Sequence, residues 1–519
     1  MPTYLTPGVY VEEVPSANKP IEGVGTSTAA FVGLAPGGPV DKPMRIANWG
    51  QFAKLYGDPA NPENGPFMEG AYLAHSVYGY FQNGGGLCWV VRVGGGGGDG
   101  GAAAQAALPS AADGSLESFR AVALVDGQLS IELAEEPSAP VEEGKEPDPT
   151  TYKLTVSGGT RREEHEGLTL RKGRSYIVTK VNAASTLLRL EDSGAALPEA
   201  ARAPAPGSYT LSVPSAAPSE VTSTDFAGDV AKREGMGGLA AVDEVTMLVV
   251  PDLQALAQNG DDSHVRDIQG KMIAHCEMVG GCMAILDPPP GLSPQDVFEW
   301  RMNAAGYDSK FATLYYPWIE VMDPISNRPI MVPPSGHVAG LWARVDSTRG
   351  VHKAPANEVV LGCNGLAFQV TQSEQGSLNQ NGINCIRAFP GRGIRVWGAR
   401  TLSSDPEWRY VNVRRVFNFL SSSIINGTQW AVFEPNDQRL WLQLRIACEN
   451  FLTRMWRDGA LFGSTPNEAF FVRCNAETNP PEVVEAGQVV IEIGIAPVKP
   501  AEFVIFRISQ FAAGASEVS

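Results

Sequence analysis

No Cys-x-x-Cys pair occurs in this chain. The seven cysteines, Cys88, Cys276, Cys282, Cys363, Cys385, Cys448 and Cys474, are odd in number and far apart. That spacing argues against a disulfide scaffold and predicts buried free thiols in a reducing compartment. Long apolar runs are also missing, since none approaches the roughly 20 residues of a membrane span. No secretory signal precedes residue 20, so folding is expected in the cytoplasm, with any exit as part of a lysis-released particle. Positive charge is scarce: 40 Lys and Arg stand against 57 Asp and Glu, for a net charge of −17. Nucleic acid is therefore not expected as the main partner, although a local basic surface against an acidic protein is compatible with this balance.

Catalytic motifs are missing as well. Six histidines are present, none in a His-Glu-x-x-His arrangement and none at ligand spacing from a cysteine, so no metal is expected. No Gly-x-Ser-x-Gly elbow nominates a nucleophile. Gly84-Gly85-Gly86 follows a helical pattern and precedes a strand, the reverse of a phosphate loop, and no Gly-Lys-Ser/Thr completes it. Gly235-Met236-Gly237-Gly238-Leu239 precedes its strand and fails the dinucleotide context in the same way. Asp243, Asp252, Asp261, Asp262 and Asp287 lie near strand ends, where capping and solvation account for them. No catalytic residue, cofactor or enzyme activity is expected.

What is present is an organised multidomain chain of 519 residues with 56 glycines and 39 prolines. Pro7 to Ser16 is a short extended run between prolines, either a frayed terminus or a strand waiting for another chain. Ser27 to Ala35 and Leu87 to Val93 read as buried strands, with a helix over Met68 to Phe81 between them. The glycine run at 94–101 breaks the pattern. Short alternating segments such as Tyr152 to Val156 then predict a β-rich insertion to about residue 219. From Val245 the chain alternates strand and helix through Cys282 to Asp287 and Phe311 to Tyr316, which means an α/β layer with a largely parallel sheet. Ser293-Pro294-Gln295-Asp296 reads as a capped helix start. Helices are predicted over Arg409 to Ile424 and Asn436 to Arg457, and late strands at Phe470 to Arg473, Gln488 to Ile495 and Ala501 to Ile508. Arginines and aromatics interleave over Arg392 to Arg415. In so acidic a chain this favours protein contacts or internal ion pairs over stacking on bases.

Several blocks then fall into a known order. They are Arg387-Ala388-Phe389-Pro390-Gly391-Arg392-Gly393-Ile394-Arg395-Val396-Trp397-Gly398-Ala399-Arg400-Thr401, Asn412-Val413-Arg414-Arg415, Phe433-Glu434-Pro435-Asn436-Asp437, Trp456 to Gly463, Phe470 to Cys474 and Ile493 to Val504. With Pro7-Gly8-Val9-Tyr10-Val11-Glu12-Glu13 and Asn83 to Val93, they resemble the sheath proteins of contractile phage tails, pyocin-like particles and related contractile injection systems. The likeness covers roughly two thirds of the chain and omits 94–219, where such proteins place a variable outer insertion.

The resemblance implies an α/β and α+β multidomain fold with mixed sheets flanked by helices. It implies an N-terminal arm over 1–20, core over 21–99, inserted β-rich domain over 100–219, α/β domain over 220–383, C-terminal domain over 384–500 and an exchanged strand and tail over 501–519. It also implies a structural role: stacked hexameric rings of this chain around an inner tube, with baseplate and cap proteins at the ends, contracting on baseplate triggering to drive the tube through an envelope. A non-contractile structural or host-binding component of a phage-like particle is the alternative. No direct nucleic-acid partner and no stable membrane insertion are implied. The intersubunit arms would use Val9, Tyr10, Val11 and Val14 at one end and Phe503, Val504, Phe506 and Ile508 at the other. Arg445, Arg454 and Arg457 on the helix ending at Arg457 are the candidate contacts to the inner tube.

Overall fold

Runs such as Ala29-Ala30-Phe31-Val32-Gly33 and Met283-Ala284-Ile285-Leu286 carry no polar side chain, so both faces of such strands need cover. In the computed structural model they receive it. The structure describes residues 20–58, 63, 65–94, 105–124, 129–136, 150–158, 161–198, 201–211, 221–256 and 262–506. The first part of the chain forms β1 (Ala29–Gly33), β2 (Met44–Ile46), α1 (Trp49–Tyr56), α2 (Leu73–Gln82) and β3 (Cys88–Arg92). The insertion adds β4 (Gln105–Pro109), β5 (Glu117–Ala123), β6 (Leu129–Glu136), β7 (Thr151–Gly158), β8 (Arg161–Leu168), α3 (Ile177–Ala184), β9 (Leu188–Glu191) and β10 (Gly207–Thr210). There follow α4 (Ser223–Ala227), β11 (Met247–Val249), α5 (Ser263–Val279), β12 (Met283–Leu286), α6 (Pro294–Glu299), β13 (Ala312–Tyr316), β14 (Ile319–Met322), β15 (Pro329–Val332), α7 (Ser335–Arg349), β16 (Glu358–Val359), β17 (Cys363–Leu366), α8 (Gln372–Gln380), β18 (Ile383–Phe389) and β19 (Gly393–Val396). The C-terminal part is α9 (Val411–Thr428), α10 (Gln438–Arg457), α11 (Pro466–Ala469), β20 (Phe470–Arg473), α12 (Pro481–Glu485) and β21 (Glu492–Ile495).

Among the described residues, nine strands form one sheet in the order β16-β19-β18-β13-β12-β11-β1-β3-β2. The run from β18 to β3 is parallel, and antiparallel strands close both edges. Alternate residues of each central strand enter opposite cores. Ala30, Val32, Leu248 and Ala284 face α5, with Val265, Ile268 and Met272. Ala29, Phe31, Met247 and Met283 face α2 and α7, with Val77, Val338 and Trp342. This period-two division is why the strands read as unbroken apolar runs. The division expected at residue 384 falls one residue inside β18, so that strand and β19 pack with the main sheet.

Two local readings meet the structure differently. Ser293 caps α6 as expected: its hydroxyl accepts from the Asp296 amide, Asp296 returns a bond to the Ser293 amide, and Pro294 opens the helix. The helix expected from Met68 starts only at Leu73. Gly70 sits at φ +75°, which breaks any earlier helical path.

The insertion has its own core. Phe119, Ile131, Leu154, Val156, Val181 and Leu190 pack with one another, and every buried member of that cluster lies between Leu108 and Leu211. Val221, just beyond it, belongs to the core of the main sheet. Replacing 99–220 by a short Gly/Ser linker is therefore expected to leave a folded chain that still assembles. Microscopy of the deleted protein checks this, and soluble aggregate or absent polymer would contradict it.

His337, on α7, is fully buried against α2. Burial, and to a lesser degree nearby His75, pushes it down to about 4. An unfolded histidine titrates near 6.5. Below that pH the unfolded chain gains a proton that the folded chain refuses. The stability tied to this group is thus present above pH 6.5 and is lost as pH falls toward 4, by about 2–3 kcal/mol. His337→Gln should lose correspondingly less than the wild type between pH 7 and pH 4.5 in urea titrations. Equal losses would refute the assignment.

Candidate functional site

In doubly wound sheets, ligands bind beyond the carboxyl ends of strands where the winding reverses. Here the chain passes from β1 to β3 on one side and from β11 to β18 on the other, so the reversal lies between β1 and β11. That crevice is filled from within. The buried Asp252 carboxylate follows β11 and accepts from the amides of Leu34 (2.6 Å), Leu73 (3.2 Å) and Tyr72. It occupies the start of α2, where a bound anion would otherwise sit. A Cβ on Gly33 would lie 2.3 Å from its Oδ2, so glycine is required there. Asp287, after β12, does the same for α7, accepting from the Ser335 amide at 2.9 Å and from its hydroxyl. Burial raises both carboxyls to about 7 against the pull of these bonds. The capping reading of these two acids holds, and the sheet presents no open ligand crevice at this point. Among the described residues no group of three or more His, Cys, Asp or Glu could hold a metal, and no helix is long and apolar enough to cross a membrane.

The informative geometry lies at the first and last described residues, 20–28 and 502–506. Residues 20–28 run along α9 and reach α10. Ile21 is fully buried with Val416, Leu420, Phe451, Leu452 and Met455. The Val24 amide donates to the Ser423 hydroxyl at 3.1 Å, and Arg454 donates to the Ile21 carbonyl. Thr26 donates its hydroxyl to Asp346 at 2.6 Å and accepts from Arg415 at 3.0 Å. Arg415 in turn grips Asp346 through its two terminal guanidinium nitrogens, at 2.9 and 2.5 Å, with its charge 4.7 Å above the Trp342 ring. This buried knot ties the arm's root to both α7 and α9. Val9, Tyr10, Val11 and Val14 lie outside the described residues.

The other end is held as firmly and then let go. Glu502 accepts from Arg400 at 2.9 and 2.5 Å, from Asn379 at 2.6 Å and from Tyr410 at 3.2 Å. Partial burial raises its pKa, but these partners outweigh that and hold it below the ordinary glutamate value. Immediately afterwards Phe503, Val504, Ile505 and Phe506 are 74%, 71%, 80% and 82% exposed. The strand expected over Ala501 to Ile508 does not form across 501–506, because among the described residues no strand lies beside it. Ile508 lies outside the described residues. Among the described residues, β20 and β21 pair only with each other, Phe470 opposite Ile495 and Val472 opposite Ile493. Those four side chains pack on the helical core, while Phe471 on the other face is half exposed.

The three candidate tube arginines do not form one surface. Arg445 is half-buried, with its Nε 3.7 Å from Glu449. Arg454 is occupied by the arm's root. Arg457 is exposed at the end of α10. Sequence reading missed the Thr26, Asp346 and Arg415 knot and the Glu502 anchor. The expectation of internal ion pairs in the arginine-aromatic stretch was the available signal, and Arg415 and Arg400 meet it.

Comparison with known proteins agrees with this architecture. Residues 231–402 match the phage tail sheath protein central domain, and residues 403–511 match the phage tail sheath C-terminal domain, an unbroken stretch of more than half the chain. The tail sheath protein of Burkholderia phage BcepMu is 24% identical over 500 residues, 93% of this chain and 92% of that one. Among solved structures, the PVC sheath complex of an extracellular contractile injection system in its contracted state is 25% identical, with a TM-score of 0.58 over 98% of this chain and 99% of that one. A chain of the anti-feeding prophage baseplate is 25% identical, with a TM-score of 0.57 over 98% of this chain and 100% of that one. With two adjoining domains of one family matched in order on a fold shared over nearly its full length, this chain belongs to the phage tail sheath family.

Proposed function

We infer that this chain is the structural subunit of a contractile sheath, forming rings around a tube, and not an enzyme. Its partners are further copies of itself and the baseplate at the end of the sheath. The observation that carries the mechanism is the four-residue apolar run Phe503 to Phe506, exposed directly after an anchored Glu502. An isolated two-stranded sheet is marginal in water, and β20–β21 gains from added strands. Each subunit lends its C-terminal strand, and its N-terminal arm through Val9, Tyr10, Val11 and Val14, to such a sheet on a neighbour, by strand addition. The rings are hexameric and stack helically. On baseplate triggering the rigid domains exchange contacts while the tethers keep the chains joined. Folding takes place in the cytoplasm, and assembly ends in a phage-like particle. Of the three candidate cations toward the tube, Arg457 is the one with no bond to its own subunit among those described, whereas Arg445 lies 3.7 Å from Glu449. Arg454 serves the arm's root first.

Negative-stain microscopy of lysates containing this chain tests the reading. Tubes whose wall is this protein are expected. Isolated trimers or knobs would instead support a host-binding component.

A further inference from the structure

The hairpin of β18 and β19 carries a cationic surface that the core does not use. Phe389 and Trp397 pack with ring centres 4.5 Å apart and planes tilted by 50°. The Arg387 guanidinium lies 5.4 Å from the Phe389 ring, and that of Arg392 lies 5.6 and 5.7 Å from the two rings. The polar framework holds these groups in place. Arg387 donates to the Gln375 side chain at 2.6 Å, and Gln375 donates to the Trp397 carbonyl at 2.9 Å. Arg392 donates to the Asn357 side-chain oxygen at 3.1 Å, and Arg395 donates to the Asn357 carbonyl at 2.7 Å. Among the described residues none of these three arginines has a carboxylate partner, and the neighbouring Glu358 is paired with Lys353 at 3.1 Å. In a chain with a net charge of −17, three positioned guanidinium groups without an acid are a surface awaiting one.

The same chain supplies a matching surface elsewhere. Between Arg473 and Lys499 it has four glutamates, Glu477, Glu482, Glu485 and Glu492, and no lysine or arginine. All four are exposed, and none forms an ion pair among the described residues. The segment bearing them is held in shape. Asn479 accepts from the Val490 amide at 2.7 Å and donates to the Val490 carbonyl at 3.0 Å, which closes the loop around α12.

We propose that the Arg387, Arg392 and Arg395 platform of one subunit docks on the Glu477 to Glu485 strip of a second copy. The inference rests on the sheath reading. Copies this acidic repel one another unless local charge is complementary at the contact. A contact between two different patches is heterologous, so it propagates from copy to copy, giving a ring where its rotation closes and a helix where it does not, rather than a closed pair.

The test is a charge swap in the full-length chain. Arg392→Glu with Arg395→Glu, and separately Glu482→Arg with Glu485→Arg, should each lower sedimenting polymer by about tenfold while circular dichroism stays native. The chain carrying all four changes should recover polymer. The two half-reversed proteins should copolymerise when mixed, because the reversed platform of one then meets the reversed strip of the other. Wild-type tubes alongside undiminished tubes from either half-reversed protein overturn the contact alone, as does a folded four-fold variant that stays soluble. Unchanged tubes with a lost single-stranded DNA gel shift would assign the platform to nucleic acid and overturn it too. A wild-type chain that sediments only as monomer overturns the sheath reading and this contact with it.

Discussion

A chain ending at Glu502 should fold and build no sheath. Among the described residues Glu502 is the last with a bond to its own subunit, through Arg400, Asn379 and Tyr410. Phe503 to Phe506 beyond it are each more than two thirds exposed, so their removal takes little packing from the subunit. The isolated protein should keep its circular dichroism spectrum and lose less than about 0.5 kcal/mol of stability. Assembly should fail completely. Burial of Val, Ile or Phe side chains on a neighbour is worth about 1.5–3 kcal/mol each. Each interchain backbone bond adds about 0.5–1.5 kcal/mol. Both contributions recur at every subunit. Val504→Pro in the full-length chain should give the same outcome, since it removes one amide donor and restricts the strand. Circular dichroism read beside microscopy decides the matter. Normal tubes from either protein would defeat strand exchange at this end, and an unfolded subunit would mean that the segment serves its own domain.

Arg415→Ala should be among the most destabilising single changes outside the central strands. The Arg415 and Asp346 side chains are only 3% and 4% exposed, and they meet in a two-point contact. Removing one partner strands the other charge in the interior, at a cost of about 3–5 kcal/mol. The Thr26 carbonyl loses a donor at the same time, and Trp342 loses the cation above its ring. Asp346→Ala should cost a similar amount. The pair Arg415→Met with Asp346→Leu should recover much of the loss, because an apolar pair leaves no buried charge. Urea unfolding of the isolated subunit measures all three. A loss below about 1 kcal/mol for Arg415→Ala would mean that water reaches the pair. The change should also loosen residues 20–28, and with them the base from which the N-terminal arm departs.

The central strands, the Ser293 cap, the long helices and the break into the insertion were legible in the chain because local pattern decides them. An unbroken apolar run needs cover on both faces. A three-to-four-residue stripe such as Leu440, Leu444, Cys448, Phe451 and Met455 makes a helix with one buried side, and all five are buried. The ordered blocks from Arg387 to Val504 carried the family. Contacts between distant residues were not legible. Arg454 read as a candidate contact to the tube, and nothing in its neighbourhood in the chain announced that it holds Ile21, 433 positions away. Asp252 read as one loop acid among several, yet it bonds amides near residues 34 and 72 and closes the crevice where a ligand would bind. Phe503 to Phe506 has the composition of a strand, but a strand exists only beside another strand. By itself, then, the sequence determined the elements and the family, because propensity and periodicity act over a few residues. The tertiary structure alone decided which charges are neutralised within the subunit and which are left without a partner there, because that depends on where chain segments hundreds of residues apart come to rest.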